Sequence, residues 1–274
     1  MAQIKNNLSN NHEPHLLSVI VPAFNCLTIK KDLLKLDSYL SHKLKTPYEV
    51  ICVVDGLKNK KDKTLLLARQ AVKKNNQVKV LTYRENRGKG YAIRLGMAHS
   101  RGGTIAFIDS GGDLNPSGLG LALEHMKWYK ADVIIGSKRH HASKVFYPWQ
   151  RKVLSFLVQR ATRLFFGLDV SDTQTGLKVF KRKVLVKVLP RLLVKRWAFD
   201  LEMLAVANRL GFTRIYESPV EIKHNFSSNI GLSAVQNFIT DYLAIIYRIY
   251  VLRYYDDHFK DRWQGDKRLV LKYK

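Results

Sequence analysis

Residues 105–113 read Ile-Ala-Phe-Ile-Asp-Ser-Gly-Gly-Asp, an apolar run that ends on a carboxylate and is followed by a second carboxylate four residues later. The apolar run predicts a buried strand with Asp109 at its carboxyl end. Ligands collect at that edge of open α/β sheets. Two carboxylates brought together there can hold a divalent cation through their oxygens, and such a cation can bind a diphosphate. This stretch therefore predicts both a strand and the centre of a site.

Segments with strand character alternate with segments of helical spacing on both sides of this stretch. The predicted strands are 17–22, 49–54, 78–83, 104–108 and 133–136, and the predicted helices are 30–44, 64–74, 89–100 and 118–129. This alternation predicts an α/β fold with a doubly wound, mostly parallel sheet.

The second half of the chain changes character, because helices 149–166 and 232–255 are amphipathic and carry basic residues. Another helix (198–210) and another strand (214–222) lie between them. We expect a disordered leader at 1–16, an α/β domain at 17–225, a membrane-associating helical region at 226–258 and a basic tail at 259–274.

The chain has 274 residues, and its 47 basic and 22 acidic side chains give a formal net charge of +25. This excess implies an anionic partner, which could be a nucleic acid, a membrane surface or a phosphorylated substrate. No nucleic-acid recognition motif is visible, so we do not expect a nucleic-acid partner. The two cysteines, Cys26 and Cys52, lie in apolar surroundings and are expected to be buried thiols in a reducing compartment.

Residues 1–15 are polar and do not resemble a signal peptide. The best candidate for a membrane span, 232–252, contains Asp241 and Arg248. We therefore expect peripheral attachment at the cytoplasmic side of an anionic membrane. The apolar stripe of this helix either lies in the headgroup plane or packs against the sheet. Its members are Phe238, Tyr242, Ile245, Ile246, Ile249 and Leu252.

Two motifs in the first half suggest contacts with a nucleotide. Asp55-Gly56 follows the second strand, where Asp55 either accepts hydrogen bonds from a base or ribose or only forms a turn. Asn86-Arg-Gly-Lys-Gly90 precedes a helix, where it either approaches phosphate through its amides and basic side chains or is a solvated turn.

Two motifs in the second half add polar groups. Asp172-Thr-Gln-Thr-Gly-Leu-Lys178 either lines a substrate or metal site or caps itself as a turn. Asp200 and Glu202 begin a helix, where they either complement the helix dipole or include a general base.

In their order along the chain, these motifs resemble the family 2 glycosyltransferases with the GT-A fold. The resemblance is closest to the dolichyl-phosphate (polyprenyl-phosphate) mannosyl- and glucosyltransferases, and it covers residues 17–225. It rests on Val-Ile-Val-Pro-Ala-Phe-Asn, Val-Asp-Gly, Asn-Arg-Gly-Lys-Gly, Phe-Ile-Asp-Ser-Gly-Gly-Asp, Gly-Ser-Lys-Arg, Asp-Thr-Gln-Thr-Gly-Leu-Lys-Val-Phe and Phe-Asp-Leu-Glu.

The resemblance implies a role for each matching residue. Asp109 would be catalytic and hold Mg²⁺ or Mn²⁺ together with Asp113, and Asp200 and Glu202 would be catalytic at the acceptor side. Lys138, Arg139 and Arg151 would grip the phosphate of a polyprenyl phosphate. The residues that would bind the nucleotide-diphosphate sugar are Pro22, Ala23, Asn25, Asp55, Arg87, Gly88, Lys89, Asp172, Gln174 and Thr175.

The chain departs from the family pattern at three places. Gly111 stands where the family's Asp-x-Asp motif has its second aspartate, so Asp113 is expected to take that role. Cys26 replaces the usual acidic residue, and Val54 and Leu57 flank Asp55-Gly56 in place of Asp and Ser. The expected activity is inverting transfer of a hexose to a polyprenyl phosphate. The alternatives are a nucleotide-sugar-binding pseudoenzyme and, less favoured, a basic nucleic-acid-associated protein.

Overall fold

One sheet forms the centre of the computed structural model, which describes residues 13–73, 75–143, 149–196, 198–222, 232–256, 267–269 and 271. Within these ranges the sheet has seven strands. They are β1 (Glu13–Ala23), β2 (Tyr48–Val54), β3 (Val78–Thr82), β4 (Gly102–Ile108), β5 (Val133–Ser137), β6 (Leu177–Lys181) and β7 (Ile215–Pro219).

The strands lie side by side in the order β3-β2-β1-β4-β6-β5-β7. All neighbouring pairs are parallel except those of β6, which runs antiparallel to both β4 and β5. The predicted doubly wound, mostly parallel α/β sheet is therefore confirmed. The sequence prediction did not include the reversal of β6, which brings the start of β6 to the carboxyl ends of the other strands.

Eight α-helices occur in the described part of the chain. Seven of them agree with the predicted helical segments to within about five residues, and the eighth, Arg182–Val188, was not predicted. The eight helices are α1 (Ile29–Lys43), α2 (Thr64–Val72), α3 (Lys89–Ala98), α4 (Ser117–Trp128), α5 (Trp149–Phe166), α6 (Arg182–Val188), α7 (Phe199–Arg209) and α8 (Leu232–Tyr250).

Helices cover both faces of the sheet. One apolar layer joins the sheet to α1, α2 and α4, and the other joins it to α3, α6, α7 and α8. The strands are therefore apolar on both sides, and all but the first residue of β2 are buried. Helix α1 has the spacing this burial requires, because Ile29, Leu33, Leu36 and Leu40 form its buried face.

The two ends of the domain differ from the expected boundaries. β1 begins at Glu13, and Leu16 is 5% exposed, so residues 13–16 belong to the sheet and not to a leader. Residues 1–12 lie outside the described ranges. Most of the predicted tail also lies outside them, but Leu269 and Leu271 are buried in the core on the α3 side.

The apolar stripe of α8 faces the protein. Ile245 is fully buried and Ile249 is 4% exposed, and Phe238, Tyr242 and Ile246 pack on the same core. The interpretation of this stripe as a lipid-facing surface is therefore wrong for these five residues. Other apolar residues of α8 are exposed, namely Val235, Ile239, Leu243 and Tyr247. No helix among the described residues is long and apolar enough to cross a bilayer.

Candidate active site

The carboxyl edge of the sheet brings together polar groups from four strands. β1 ends at Ala23, β2 leads into Asp55 and β4 leads into Asp109, because parallel strands finish at the same edge. The antiparallel β6 enters from this edge, and the Asp109 amide donates a hydrogen bond of 2.8 Å to the carbonyl of Gly176. Segments far apart in sequence thus meet at one place.

Asp55 anchors the loop that begins helix α3. Its Oδ1 accepts hydrogen bonds from Tyr83 Oη (2.7 Å) and from the Arg87 amide (2.7 Å). Its Oδ2 accepts hydrogen bonds from Asn86 Nδ2 (3.0 Å) and from the Gly88 amide (3.0 Å). The carboxylate is 3% exposed. Asp55 therefore uses the amides that were expected to approach phosphate, and it positions the loop more readily than it binds a base.

Gly88 fits this loop because its backbone is in the left-handed region, with φ of +97°. An added Cβ would also lie 2.5 Å from the Lys195 carbonyl oxygen. Arg87 is exposed, and its Nη1 donates to Tyr91 Oη at 3.1 Å. Because the amides of Arg87 and Gly88 are bonded to Asp55, the side chains of Arg87 and Lys89 are the candidate contacts of this loop for a diphosphate.

The two carboxylate oxygens of Asp109 differ in their surroundings. Oδ2 accepts a hydrogen bond of 2.9 Å from Lys89 Nζ. Oδ1 is buried and has no hydrogen-bond partner among the described residues. Gly176 lies so close to this carboxylate that any Cβ there would collide with it. Asp109 is thus held against the start of β6 with one oxygen unused.

Four charged side chains alternate in sign from Asp109 inward. Lys89 Nζ is 3.8 Å from Asp200 Oδ2, and Asp200 Oδ1 accepts a hydrogen bond of 2.6 Å from Lys178 Nζ. Lys178 is fully buried and also donates to the Thr175 carbonyl at 2.8 Å. The Phe107 ring lies below both ammonium groups, with its centroid 5.8 Å from Lys89 Nζ and 5.2 Å from Lys178 Nζ. We call Asp109, Lys89, Asp200 and Lys178 the charge row.

Each member of the charge row affects the protonation of its neighbours. Burial alone would lower the pKa of Lys89, but Asp109 and Asp200 raise it above its ordinary value. Burial alone would raise the pKa of Asp200, but Lys178 and Lys89 hold it below its ordinary value. Burial lowers the pKa of Lys178, although Asp200 opposes this effect. Asp200 is therefore an ionised, buried group of the site.

The loop before β6 caps itself as a turn, which is one of the two alternatives given for the motif 172–178. Asp172 Oδ2 accepts a hydrogen bond from Thr175 Oγ1 and another of 3.1 Å from the Lys138 amide, while Oδ1 accepts one of 3.0 Å from the Gln174 amide. Lys138 Nζ lies 3.8 Å from the same carboxylate. The loop is thus joined to the turn after β5, and Asp172 and Thr175 shape the site without being free for ligand.

The predicted acceptor-phosphate residues are placed only in part. Lys138 and Arg139 follow β5 directly, and Arg139 Nη1 donates to the Ser171 carbonyl at 3.2 Å. Both lie beside the loop before β6. Arg151 belongs to α5, but its side chain lies outside the described residues.

Glu202 does not fit its predicted role as a catalytic carboxylate at the acceptor side. It is fully buried and accepts hydrogen bonds from the amides of Leu193 (3.0 Å) and Val194 (2.9 Å) and from Tyr255 Oη (2.6 Å). Arg248 of α8 lies 3.6 Å from it. Burial raises the pKa of Glu202 above its ordinary value. The carboxylate therefore fastens the C-terminal elements to α7 from the interior.

The turn after Asp109 is held by a residue that sequence reasoning missed. Asp32 of α1 accepts a hydrogen bond of 2.9 Å from the Gly111 amide and one of 2.8 Å from Thr28 Oγ1. Gly111 has φ of +110°, and a Cβ there would meet nothing within 4 Å, so the position of the absent second aspartate faces open space. Asp113 is exposed at the end of this turn. Asp32 resembles an ordinary first-turn carboxylate in sequence and gave no signal of this contact.

Lys178 is a second residue of the site whose role was not predicted, although it ends the motif 172–178. The sequence does contain a signal for this role, because a lysine inside the apolar strand Leu177–Lys181 needs a buried partner of opposite charge. The remaining predicted donor residues lie near the end of β1. Pro22 accepts a hydrogen bond of 2.8 Å from Ser110 Oγ, Ala23 is buried, and Asn25 is exposed with φ of +46°.

A divalent cation fits this donor set when phosphate oxygens complete its shell. Asp109 Oδ1 is an unused carboxylate oxygen, and Mg²⁺ is typically held by one or two carboxylates together with substrate phosphates and water. Within the described ranges, no three His, Cys, Asp or Glu side chains converge to hold a metal. The described residues therefore suit a cation shared with a ligand and not one enclosed by protein alone.

Comparison with known proteins adds independent information. A family model described as glycosyl transferase family 2 matches residues 18–189. A dolichyl-phosphate beta-glucosyltransferase of Drosophila melanogaster is 36% identical over 211 residues, which are 71% of this chain and 63% of the fly protein. The protein of the same description from Saccharomyces cerevisiae is 28% identical over 273 residues, covering 93% of this chain and 80% of the yeast protein.

The chain also resembles solved structures. Glucosyl-3-phosphoglycerate synthase from Mycobacterium tuberculosis, in complex with Mn²⁺, uridine diphosphate (UDP) and glucosyl-3-phosphoglycerate, superposes with a TM-score of 0.63 at 18% identity. The superposition covers 85% of this chain and 79% of that one. The same enzyme was also solved with Mg²⁺ and UDP. At this identity, the likeness establishes the shared fold.

Proposed function

Because the chain belongs to glycosyl transferase family 2, we propose that it transfers a hexose from a nucleotide-diphosphate sugar to a polyprenyl phosphate. It has the GT-A fold that the sequence resemblance implied. The observation that carries the proposal is the charge row at the carboxyl edge of the sheet, which offers both a carboxylate for a cation and an ammonium group for phosphate. The dolichyl-phosphate beta-glucosyltransferases among its relatives support the choice of acceptor.

The donor lies across the ends of β1, β2 and β4 in this proposal. Asp55 holds the loop from Asn86 to Gly88 in place, so that Arg87 and Lys89 are directed to the diphosphate. Ala23 and Asn25 are at the end of β1, beside Asp55, whose amide donates to the Ala23 carbonyl at 2.9 Å. The pocket for the nucleotide is thus built from backbone and polar groups that are already positioned.

Asp109, with Asp113 as the second candidate ligand, would hold Mg²⁺ or Mn²⁺. When bound, such a cation offsets the negative charge that develops on the leaving diphosphate. Asp32 orients the turn that carries Gly111, and thereby the path of the chain between Asp109 and Asp113. The missing carboxylate at Gly111 makes the cation depend more strongly on phosphate oxygens.

The acceptor needs positioning more than proton transfer. A phosphate monoester already carries negative charge near neutral pH, so its oxygen attacks the anomeric carbon directly. The new carbon–oxygen bond forms as the bond to the diphosphate breaks, the nucleoside diphosphate leaves with the electron pair, and the configuration inverts. Lys138, Arg139 and Arg151 would attract the acceptor phosphate. The interior position of Glu202 is compatible with this chemistry, since no general base is required.

The acceptor also implies attachment to an anionic membrane surface at its cytoplasmic side. The exposed face of α8 carries Ile239, Leu243 and Tyr247, each more than half exposed. The net charge of +25 adds electrostatic attraction, worth about 1 kcal/mol for each basic residue close to the surface. Peripheral attachment through this face replaces the inward stripe that the sequence suggested.

A second candidate function is supported by the glycine at position 111. Loss of that carboxylate favours a protein that binds a nucleotide sugar without turning it over. The two functions are separated by incubating nucleotide sugars with a polyprenyl phosphate, with and without Mn²⁺, and measuring glycolipid formation. Transfer that requires the cation and disappears in the Asp109→Asn variant supports the enzyme. Tight donor binding with no transfer under any of these conditions contradicts it.

A further inference from the structure

The ammonium group of Lys89 occupies a position that matters for cation binding. Its Nζ lies 2.9 Å from Oδ2 of Asp109, the carboxylate whose other oxygen is buried and unused among the described residues. The second acidic neighbour of Lys89 is Asp200, at 3.8 Å. Lys89 therefore sits between two carboxylates and is already bonded to one of them.

A divalent cation on Asp109 would be repelled by this ammonium group. Both positive charges would share one carboxylate, and water screens their repulsion only in part, because Asp109 and Lys89 are each little more than a third exposed. The glycine at position 111 supplies no further negative charge to offset the repulsion. Negative charge must therefore arrive from outside before the cation can bind well, and a diphosphate carries such charge.

We propose that Lys89 is the resident counter-cation of Asp109 and makes divalent-cation binding depend on the donor's diphosphate. This inference rests on the proposed function only for the identity of the anion. When the diphosphate and the cation enter together, Lys89 releases Asp109 and bonds to Asp200 and the phosphates. The cation is thereby admitted with the donor and excluded without it.

The rest of the charge row is arranged for this exchange of partners. Lys178 donates to Oδ1 of Asp200, which leaves Oδ2 directed at Lys89. Lys178 is held in turn by the Thr175 carbonyl at 2.8 Å, so Asp200 keeps its position while Lys89 moves. Lys89 is the first residue of α3 and its side chain is 35% exposed, so it has room to change its rotamer.

The test measures Mn²⁺ binding directly, by the loss of the free-ion signal in electron paramagnetic resonance, on the full chain with and without UDP. Native protein is expected to bind Mn²⁺ weakly alone and more tightly with UDP. The Lys89→Met variant is expected to bind Mn²⁺ alone about tenfold more tightly, because one positive charge next to the ligand has gone. Its gain in Mn²⁺ affinity on adding UDP should shrink correspondingly.

Two controls separate the local contact from the total charge. Lys79→Met also removes one positive charge, but Lys79 pairs with Glu49 at 3.2 Å near the start of β2, so it should bind Mn²⁺ like the native protein. Lys89→Arg keeps the charge and should retain weak binding of Mn²⁺ alone. If Lys89→Met does not fold, Lys89→Gln makes the same comparison, with the melting temperature as the check.

The outcomes distinguish this inference from the proposed function. Equal Mn²⁺ affinity of the native protein and Lys89→Met in the absence of UDP would overturn the role of Lys89. Failure of the native protein to bind UDP even with Mn²⁺ would instead count against the proposed function, and the comparison with Mn²⁺ alone would still decide the role of Lys89.

Discussion

Lys178 Nζ and Asp200 Oδ1 lie 2.6 Å apart in the interior, where the side chains are 0% and 5% exposed. The pair joins β6 to the first turn of α7. Both side chains are so little exposed that water cannot solvate either charge in place of its partner. The position of Asp200 in the site therefore depends on Lys178.

Replacing Lys178 with Met is expected to lower the free energy of unfolding by about 3 to 5 kcal/mol, because it leaves Asp200 buried without its nearest counter-charge. Urea denaturation measures this loss. Lys181→Met is the matched control on the same strand, since Lys181 makes a hydrogen bond of 3.1 Å to the Lys130 carbonyl at the surface. Lys181→Met should lower the free energy of unfolding by about 1 kcal/mol or less. A similar decrease in the free energy of unfolding for both variants would show that the buried pair contributes no more to stability than the surface hydrogen bond of Lys181.

Replacing Asp109 with Asn is expected to reduce sugar transfer about 100-fold or more, because the cation loses its carboxylate ligand. The fold should survive, since Asp109 and Lys89 are both more than a third exposed and such pairs contribute little to stability. Initial transfer rates over a range of Mn²⁺ concentrations, together with melting curves, test both statements. Near-native turnover in this variant would remove Asp109 from the cation site.

Replacing Asp55 with Asn is expected to lower the free energy of unfolding by about 2 to 4 kcal/mol, because its amide group would face the donors of the loop that precedes α3. UDP binding should weaken together with stability. Tyr83→Phe removes a single donor, the hydroxyl 2.7 Å from Asp55, and should cost about 1 kcal/mol. If Asp55→Asn instead weakens UDP binding and leaves stability unchanged, Asp55 contacts the nucleotide directly.

Glu49 is expected to make stability fall in acid. Burial alone would raise its pKa, but hydrogen bonds from Arg101 N and Ser18 Oγ and the charge of Lys79 hold it below the ordinary 4.5. A carboxyl group whose pKa is lower in the folded state than in the unfolded state stabilises the folded protein at any pH above its unfolded-state pKa. That contribution is lost as the pH falls through 4.5 towards the lowered pKa.

Urea midpoints measured from pH 7 downward test this dependence. Glu49→Gln should be less stable than the native protein at pH 7, and its stability should change less between pH 7 and the acid range. Glu85→Gln is the control, because Glu85 is exposed. Parallel pH curves for the native protein and Glu49→Gln would contradict the prediction.

The exposed face of α8 is expected to carry membrane attachment. Changing Ile239 and Leu243 together to Asp should weaken binding to anionic liposomes about tenfold or more, since both side chains are at least half exposed and would bury apolar surface in lipid. Co-sedimentation at low and high salt measures this effect, and melting curves should remain close to native. Leu66→Asp, an exposed leucine on α2, is the control that should leave liposome binding unchanged.

The buried face of α8 gives the complementary result. Ile245→Asp should unfold the protein or lower its melting temperature strongly, because Ile245 is fully buried. Undiminished liposome binding by the Ile239 and Leu243 variant would contradict attachment through the exposed face, while the proposed sugar transfer would stand.

Much of the fold was predictable because its determinants are local. Apolar strands such as 49–54 and helical spacing such as that of Leu33, Leu36 and Leu40 are visible within short windows of sequence. The reversal of β6 was not predictable in this way, because strand direction depends on where the chain returns after α5. The face of α8 that meets the core was also ambiguous, since both of its sides carry apolar residues.

The site was predictable in its location more than in the roles of its residues. The ends of β1, β2 and β4 placed Asp55 and Asp109 at one edge. Sequence could not show that Asp55 would use its oxygens on a neighbouring loop, because that loop lies some 30 residues further along the chain. It also could not show that Glu202 points inward to Tyr255 while Asp200, two residues earlier, meets Lys178. Such differences depend on tertiary packing around a single helical turn.

The position of β6 between β4 and β5 has a consequence for the growing polypeptide on the ribosome. The first four strands can pair once residue 108 has emerged, but β5 pairs with β6 and β7 among the described strands and must wait for residues 177–181. At about 5 to 20 residues per second, synthesis from the end of β4 to the end of β6 takes several seconds. During that interval β4 presents an open edge of unpaired backbone, which invites intermolecular pairing. The nascent chain is therefore most prone to aggregation after two fifths of it has been made, and shielding by chaperones would matter most at that stage.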